Sequence, residues 1–146
     1  MLMRIMALDL GEKRTGIAVS DSLGRVSHPL DVVPTHDVLD NAITFRRLLE
    51  DHEIELLLVG IPVSLDGSEH SQATRIRKQA TRLETLYNLP VEFADERFSS
   101  KEAKRVLRQL GYSEKDMRGK TDKIAASIVL QAWLDKRLAL GEEQQY

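Results

Sequence analysis

Five consecutive residues, Leu56-Leu57-Leu58-Val59-Gly60, carry no polar side chain. Strand side chains alternate between two faces, so an unbroken apolar run of this length reads as a strand covered on both sides. Such a strand belongs in the parallel centre of a sheet, with helices above and below it. The rest of the chain can be arranged around it.

Before this run come three extended segments, at about residues 3–9, 15–20 and 25–33. Their linkers, Gly11-Glu12-Lys13-Arg14 and Asp21-Ser22-Leu23-Gly24, are too short for crossovers, so the three strands pair antiparallel. Pro29 in the third lacks an amide donor, which predicts an edge strand or a bulge. A helix is predicted over 37–52, with Asp37 as its cap and Val38, Ala42, Phe45 and Leu49 on its apolar side. Beyond the apolar strand, Ala73, Ile76, Ala80, Leu83 and Tyr87 recur at helical spacing, with Arg75, Lys78 and Arg82 on the polar side. Val91-Glu92-Phe93-Ala94 is a further strand, leading into Asp95-Glu96-Arg97. Ser99 and Glu102 have capping-box spacing before a helix that stops at Gly111. Residues 112–120 read as a polar, mobile loop, and the last helix spans about 122–140. The order β-β-β-α-β-α-β-α-α gives an α/β fold: a mixed five-stranded sheet, three strands antiparallel and two parallel, with helices on both faces.

Length and composition limit the rest. At 146 residues the chain fits one domain, 1–146, able to bury a core without staples. It has no cysteine, which removes disulfides, thiolate zinc sites and cysteine nucleophiles and fits a reducing compartment. No run approaches the roughly 20 apolar residues of a membrane span. Arg4 and Asp9 interrupt any signal-peptide pattern, so a cytoplasmic location is expected and no membrane partner. The net charge of −2 is unevenly spread. Between Asp21 and Leu57 eight acids face three arginines; between Gln72 and Arg108 nine basic residues face five acids. The basic segment suits an anionic partner such as nucleic acid, although solvated helix faces look the same in sequence.

Three places hold carboxylates where an element ends or begins. Ile5, Ala7 and Asp9 share one face of the first strand, so Asp9 stands in a row that otherwise points into the core. Asp95 and Glu96 end the last strand. Asp122 opens the final helix, and its i+3, i+4, i+7 and i+11 neighbours, Ala125, Ala126, Val129 and Trp133, form that helix's buried stripe. The helix dipole alone would favour an acid there, but one facing water would serve as well. Carboxylates gathered at one point repel unless cations hold them. Oxygen-only donors select Mg²⁺ or Mn²⁺, and two such ions about 4 Å apart serve in-line phosphodiester hydrolysis.

Asp9-Leu10-Gly11 with Lys13-Arg14, Gly16 and Ser20-Asp21 resembles the opening motif of the YqgF family of RNase H-like proteins. The likeness continues through Val59-Gly60-Ile61-Pro62, Asp66-Gly67-Ser68-Glu69, Asp95-Glu96-Arg97 and Lys120-x-Asp122-x-x-Ala125-Ala126. These five motifs, in order, cover nearly the whole chain. The resemblance implies an RNase H-like fold and a Mg²⁺-dependent nuclease, with two ions held by Asp9, Glu96 and Asp122. Members are described as Holliday-junction resolvases or as nucleases maturing the 5′ end of pre-16S ribosomal RNA, a step in ribosome biogenesis.

One departure matters. Related resolvases carry their second acid after the central parallel strand, where this chain has Gly60-Ile61-Pro62. The role passes to Asp95 or Glu96, which lie on opposite faces; the resemblance points to Glu96, and both stay as candidates. Lys13, Arg14, Arg97 and Lys120 adjoin the acids and suit phosphate contacts or ion pairs with those acids. The Asp66-Gly67-Ser68 loop could present backbone amides to substrate. His28, His36, His52 and His70 have no ligand spacing.

An actin-like ATPase or sugar kinase also opens with strand, Asp-x-Gly turn and strand, but needs a second lobe that 146 residues cannot supply. A non-catalytic nucleic-acid-binding module would have a broken carboxylate set, and this set is complete. Resolving a junction needs two sites in a C₂ dimer. The stripes show no long apolar face for one, so a monomer or weak homodimer acting on pre-rRNA is expected ahead of branched DNA.

Overall fold

The computed structural model describes residues 3–62, 70–96, 99–117 and 119–145. Five strands form one sheet in the order β3-β2-β1-β4-β5. Strands β1 (Ile5–Leu10), β2 (Arg14–Ser20) and β3 (Ser27–Pro34) are antiparallel, and β4 (Leu56–Ile61) and β5 (Val91–Asp95) continue parallel to β1. Every residue of β4 is buried, as its unbroken apolar run requires. Pro29 does both things expected of it: β3 is an edge strand, and its pairing with β2 slips between Ile17 and Ala18, with Leu30 as the extra residue.

The two faces are closed by different helices. Met6, Leu8, Leu10, Leu57 and Val59 pack under α1 (Thr35–Leu39), α2 (Ile43–Asp51) and α3 (Ser71–Tyr87), through Val38, Phe45, Leu49, Ile76 and Leu83. Ile5, Ala7, Leu56 and Leu58 pack against Ala126, Val129, Leu130 and Leu134 of α6 (Thr121–Gln145). Helix α4 (Ser99–Gln109) lies against α6 rather than on the sheet, burying Ala103 and Leu107. At roughly 25 cal/mol per Å² of apolar surface, each fully buried leucine or isoleucine on either face stabilises the fold by about 2 kcal/mol.

Two sequence expectations need correction. The helix expected over 37–52 is two helices, broken at Asp40-Asn41-Ala42, where Asn41 takes a left-handed φ of 63°. Asparagine tolerates that region better than other non-glycine residues, so the break falls there. Asp37 is consequently inside α1 and caps nothing; Pro34 holds the N-cap position. The stretch 112–120, expected as loop, contains a short helix α5 (Glu114–Met117). Ser113 Oγ accepts from the Asp116 amide at 3.2 Å and donates to the Asp116 carboxylate at 2.8 Å, a capping arrangement legible in Ser-Glu-Lys-Asp. The side chain of Ser99, and with it the capping box expected with Glu102, falls outside the described residues.

Candidate active site

Asp9 and Glu96 meet at the C-terminal ends of β1 and β5, across the end of β4 and on the α6 face, with Asp122 near them. Register explains how. Asp9 is opposite Gly16 in β2, and the β1/β4 pairing carried one step beyond Leu8–Val59 sets it beside Gly60. Gly60 in turn pairs with Ala94. Asp9 therefore stands between two glycines, and each absent side chain is replaced by part of the site. A Cβ on Gly60 would come within 2.7 Å of Glu96 Oε2. A Cβ on Gly16 would lie 2.0 Å from the Asp122 carbonyl oxygen and 2.8 Å from the Lys123 amide nitrogen. Gly60 makes room for Glu96 to reach Asp9, and Gly16 lets the first turn of α6 settle directly on β2.

The same register separates Asp95 from Glu96. Asp95 pairs with Ile61 and shares the face of Phe93, which packs on the α1–α3 side. Ala94 packs on the α6 side, and Glu96 follows it by the alternation of the strand. The Glu96 amide donates to the Ile61 carbonyl at 3.1 Å, extending the ladder just far enough to hold that direction. Glu96 shares a side-chain hydrogen bond with Asp9, and the exposed Asp95 acts on Glu96 through its charge.

Electrostatics follow from that contact. Burial pushes both carboxyls above their ordinary range. Glu96 rises to about 8, by desolvation first and then by the Asp9 charge, so it keeps the shared proton and donates it to Asp9. The charge of Asp122 also raises Asp9. Arg75 opposes these effects at Glu96; its guanidinium reaches over the strand ends to the Leu10 carbonyl at 3.3 Å. Sequence reading placed Arg75 only on the polar side of a helix. Its nearness to Glu96 arises from α3 crossing the sheet, which no spacing in the sequence records.

Asp122 is held differently. Its carboxylate pairs with Arg14, Nε to Oδ2 at 3.4 Å. Arg14 is positioned by the turn that follows Asp9: the Gly11 amide donates to the Arg14 carbonyl at 2.9 Å, and a Cβ on Gly11 would meet that same oxygen at 2.4 Å. Beneath the turn, buried Thr35 donates its hydroxyl to the Gly11 carbonyl and its amide to the Lys13 carbonyl. Its single proton is then spent, so Thr15 must donate to Thr35 across their 2.8 Å contact. Neither threonine stood out in the sequence, although a buried hydroxyl pair is what fixes the turn. Lys13 is exposed on the turn, and Lys120 lies with its ammonium 5.2 Å from the centre of the Tyr112 ring. Arg97 and the Asp66-Gly67-Ser68 loop fall outside the described residues.

The donor set suits a hard divalent cation: it is all oxygen, and two of its members must share a proton to lie together. Among the described residues, however, no three acidic or imidazole side chains converge into a metal-holding group. Two acids touch; the third is turned to Arg14. None of the helices among these residues is long and apolar enough to cross a membrane.

Comparison with known proteins agrees with this architecture. Residues 3–136 match the model of the RuvX family, described as Holliday junction resolvase. A protein of Thermosynechococcus vestitus named "Putative pre-16S rRNA nuclease" is 35% identical, over 98% of this chain and 99% of its own. One of the same name from Anaeromyxobacter sp. (strain Fw109-5) is 39% identical, over 94% of this chain and 100% of its own. Among solved structures, Fowlpox virus resolvase in complex with Holliday junction DNA superposes with a TM-score of 0.58 at 12% identity, covering 93% of this chain and 99% of that one. Thermus thermophilus RuvC with its junction substrate gives 0.54 at 16%, covering 94% and 96%. These two likenesses establish the RNase H-like resolvase fold. The chain belongs to the RuvX (YqgF) family, a family of nucleases.

Proposed function

We propose that this family member is a single-domain, metal-dependent nuclease that hydrolyses phosphodiester bonds in RNA, acting in the maturation of the 5′ end of pre-16S rRNA. The observation that carries the chemistry is the half-buried Asp9–Glu96 contact with Asp122 at its side. Two carboxyls pressed together in the end of a core are costly for a fold and useful for binding cations. Asp9, Glu96 and Asp122 would hold Mg²⁺ or Mn²⁺, as a pair of ions, which supply the Lewis acidity for attack by water and for departure of the leaving oxygen. To hold a cation, Glu96 would have to give up the proton it shares with Asp9, since a ligating carboxylate must be ionised. Asp95, on the other face, is left to shape the charge around Glu96. Lys13, Arg14, Arg97 and Lys120 lie in sequence beside the acids and would meet the phosphate backbone.

For the substrate, the support is the relatives named for pre-16S rRNA, which match this chain at 35% and 39% identity over nearly its whole length. Cleavage of a branched DNA junction is the second reading, favoured by the description of the matching family. The test gives purified protein precursor ribosomal RNA and four-way DNA junctions, each with Mg²⁺ and with EDTA, beside Asp9→Asn. Cleavage of the RNA, lost in EDTA and in the variant, is the expected result. Symmetric cleavage of junctions alone would replace the RNA reading, and binding without cleavage of either would replace the nuclease by a binding module.

A further inference from the structure

We infer that Arg14 gates the metal site: it holds the Asp122 carboxylate until a nucleic-acid phosphate takes its place, so that cation and nucleic acid bind cooperatively. This rests on the reading of Asp9, Glu96 and Asp122 as metal ligands. The ion pair has the geometry of an exchangeable contact. Arg14 Nε stands 3.4 Å from Asp122 Oδ2, longer than the 2.7–2.9 Å of a tight charge-assisted hydrogen bond. The Arg14 side chain is 58% exposed while that of Asp122 is 28% exposed, so the guanidinium can swing to solvent and the carboxylate stays over the site.

The backbone on both sides is fixed, which leaves the side chain as the moving part. The Gly11–Arg14 turn is pinned from below by Thr35 and Thr15, and the start of α6 is pinned against Gly16. Neither end of the pair can drift away to relieve it. A phosphodiester offers the guanidinium two oxygens in the planar fork arrangement, which one 3.4 Å contact does not satisfy. Once Arg14 turns to the phosphate, Asp122 loses its countercharge beside two other acids and becomes a site for a cation. Binding of either ligand then favours the other, by the same factor in both directions.

Mn²⁺ affinity, read by electron paramagnetic resonance of the free ion, tests this without turnover. A short phosphorothioate oligonucleotide serves as the polyanion, and wild type is compared with Arg14→Gln, Lys123→Gln and Asp9→Asn. The oligonucleotide should tighten Mn²⁺ binding to wild type by about tenfold, within the usual range of such couplings. Arg14→Gln should bind Mn²⁺ more tightly than wild type without oligonucleotide, and should show no further gain with it. Reciprocally, Mn²⁺ should tighten oligonucleotide binding to wild type and not to Arg14→Gln. Unchanged or weaker Mn²⁺ affinity in Arg14→Gln overturns the gate, as does an equal gain in Lys123→Gln, which would mark a general charge effect. If wild type binds no Mn²⁺ that Asp9→Asn removes, the metal-site reading falls and takes the gate with it. Mn²⁺ binding that Asp9→Asn removes but Arg14→Gln leaves alone sinks only the gate.

Discussion

The two faces of β1 began with similar residues and ended differently. On one, Met6, Leu8 and Leu10 stay apolar to the last position and are sealed by three helices. The polar group that closes that side, the Tyr87 hydroxyl, donates to the Val38 carbonyl, and burial raises it to about 12, so it remains neutral. On the other, Ile5 and Ala7 are core, and the next residue in the row is Asp9. What makes a carboxylate tolerable there is what flanks it. The glycine at 16 seats a helix terminus beside it and the glycine at 60 leaves room for a second acid to reach it, where the opposite face has Ile17, Val59 and Ile61. A face becomes a site where small neighbours admit polar groups from other elements.

Substitutions can break this contrast, the most damaging being at its centre. Asp9→Asn keeps the shape and removes the charge; cleavage of precursor RNA in Mg²⁺ should fall on the order of 10³-fold, with nucleic-acid binding in EDTA, read by fluorescence anisotropy, retained. Next come two losses of equal size and different origin, each measured by urea unfolding. Leu8→Ala on the closed face should destabilise by about 3 kcal/mol through the cavity it leaves. Gly16→Ala should lose about 3 kcal/mol through overlap with the Asp122 and Lys123 backbone, which cannot move aside as a side chain could. If Gly16→Ala proved as stable as wild type, the close seating of α6 would be wrong.

Gly60→Ala should be milder for stability and harsher for function. The methyl meets the Glu96 carboxylate, a flexible end, so unfolding should change by less than about 1 kcal/mol while cleavage drops about tenfold. A pH titration of the metal-free protein sharpens the same point. The Glu96–Asp9 pair holds a proton in the folded state that an unfolded chain releases at ordinary carboxylate pH. The folded form therefore binds more protons in that window, and stability should fall as pH rises from about 4.5 through about 8. Glu96→Gln should flatten the fall in thermal melts across the series; an undiminished slope in that variant would show the pair is not its source. The smallest effect belongs to Asp95→Asn, on the opposite face, where cleavage should stay within about twofold of wild type.

Much of the fold could be read from local pattern. Alternation along β1, the unbroken run of β4 and the helical stripe of Ala73, Ile76, Ala80 and Leu83 are single-element signals, and each reports burial directly. Asn41 and Ser113 show the limit of that reading. The break between α1 and α2 depends on one left-handed residue inside a pattern that otherwise continues, and α5 on a cap beside a helix of a single turn.

For the site, the sequence by itself determined that Asp9 faces inward, because parity within one strand is covalent, and that Asp122 heads the buried stripe of α6. It also required Asp95 and Glu96 to face opposite ways. It did not determine which of them meets Asp9. That depends on the β4–β5 register, where a slip of one residue would exchange the two, and on the space left at Gly60. The partnership of Arg14 with Asp122 and the reach of Arg75 toward Glu96 likewise belong to the tertiary structure. Side-chain direction is set within an element; which charges become neighbours is set by how elements far apart in the chain pack together.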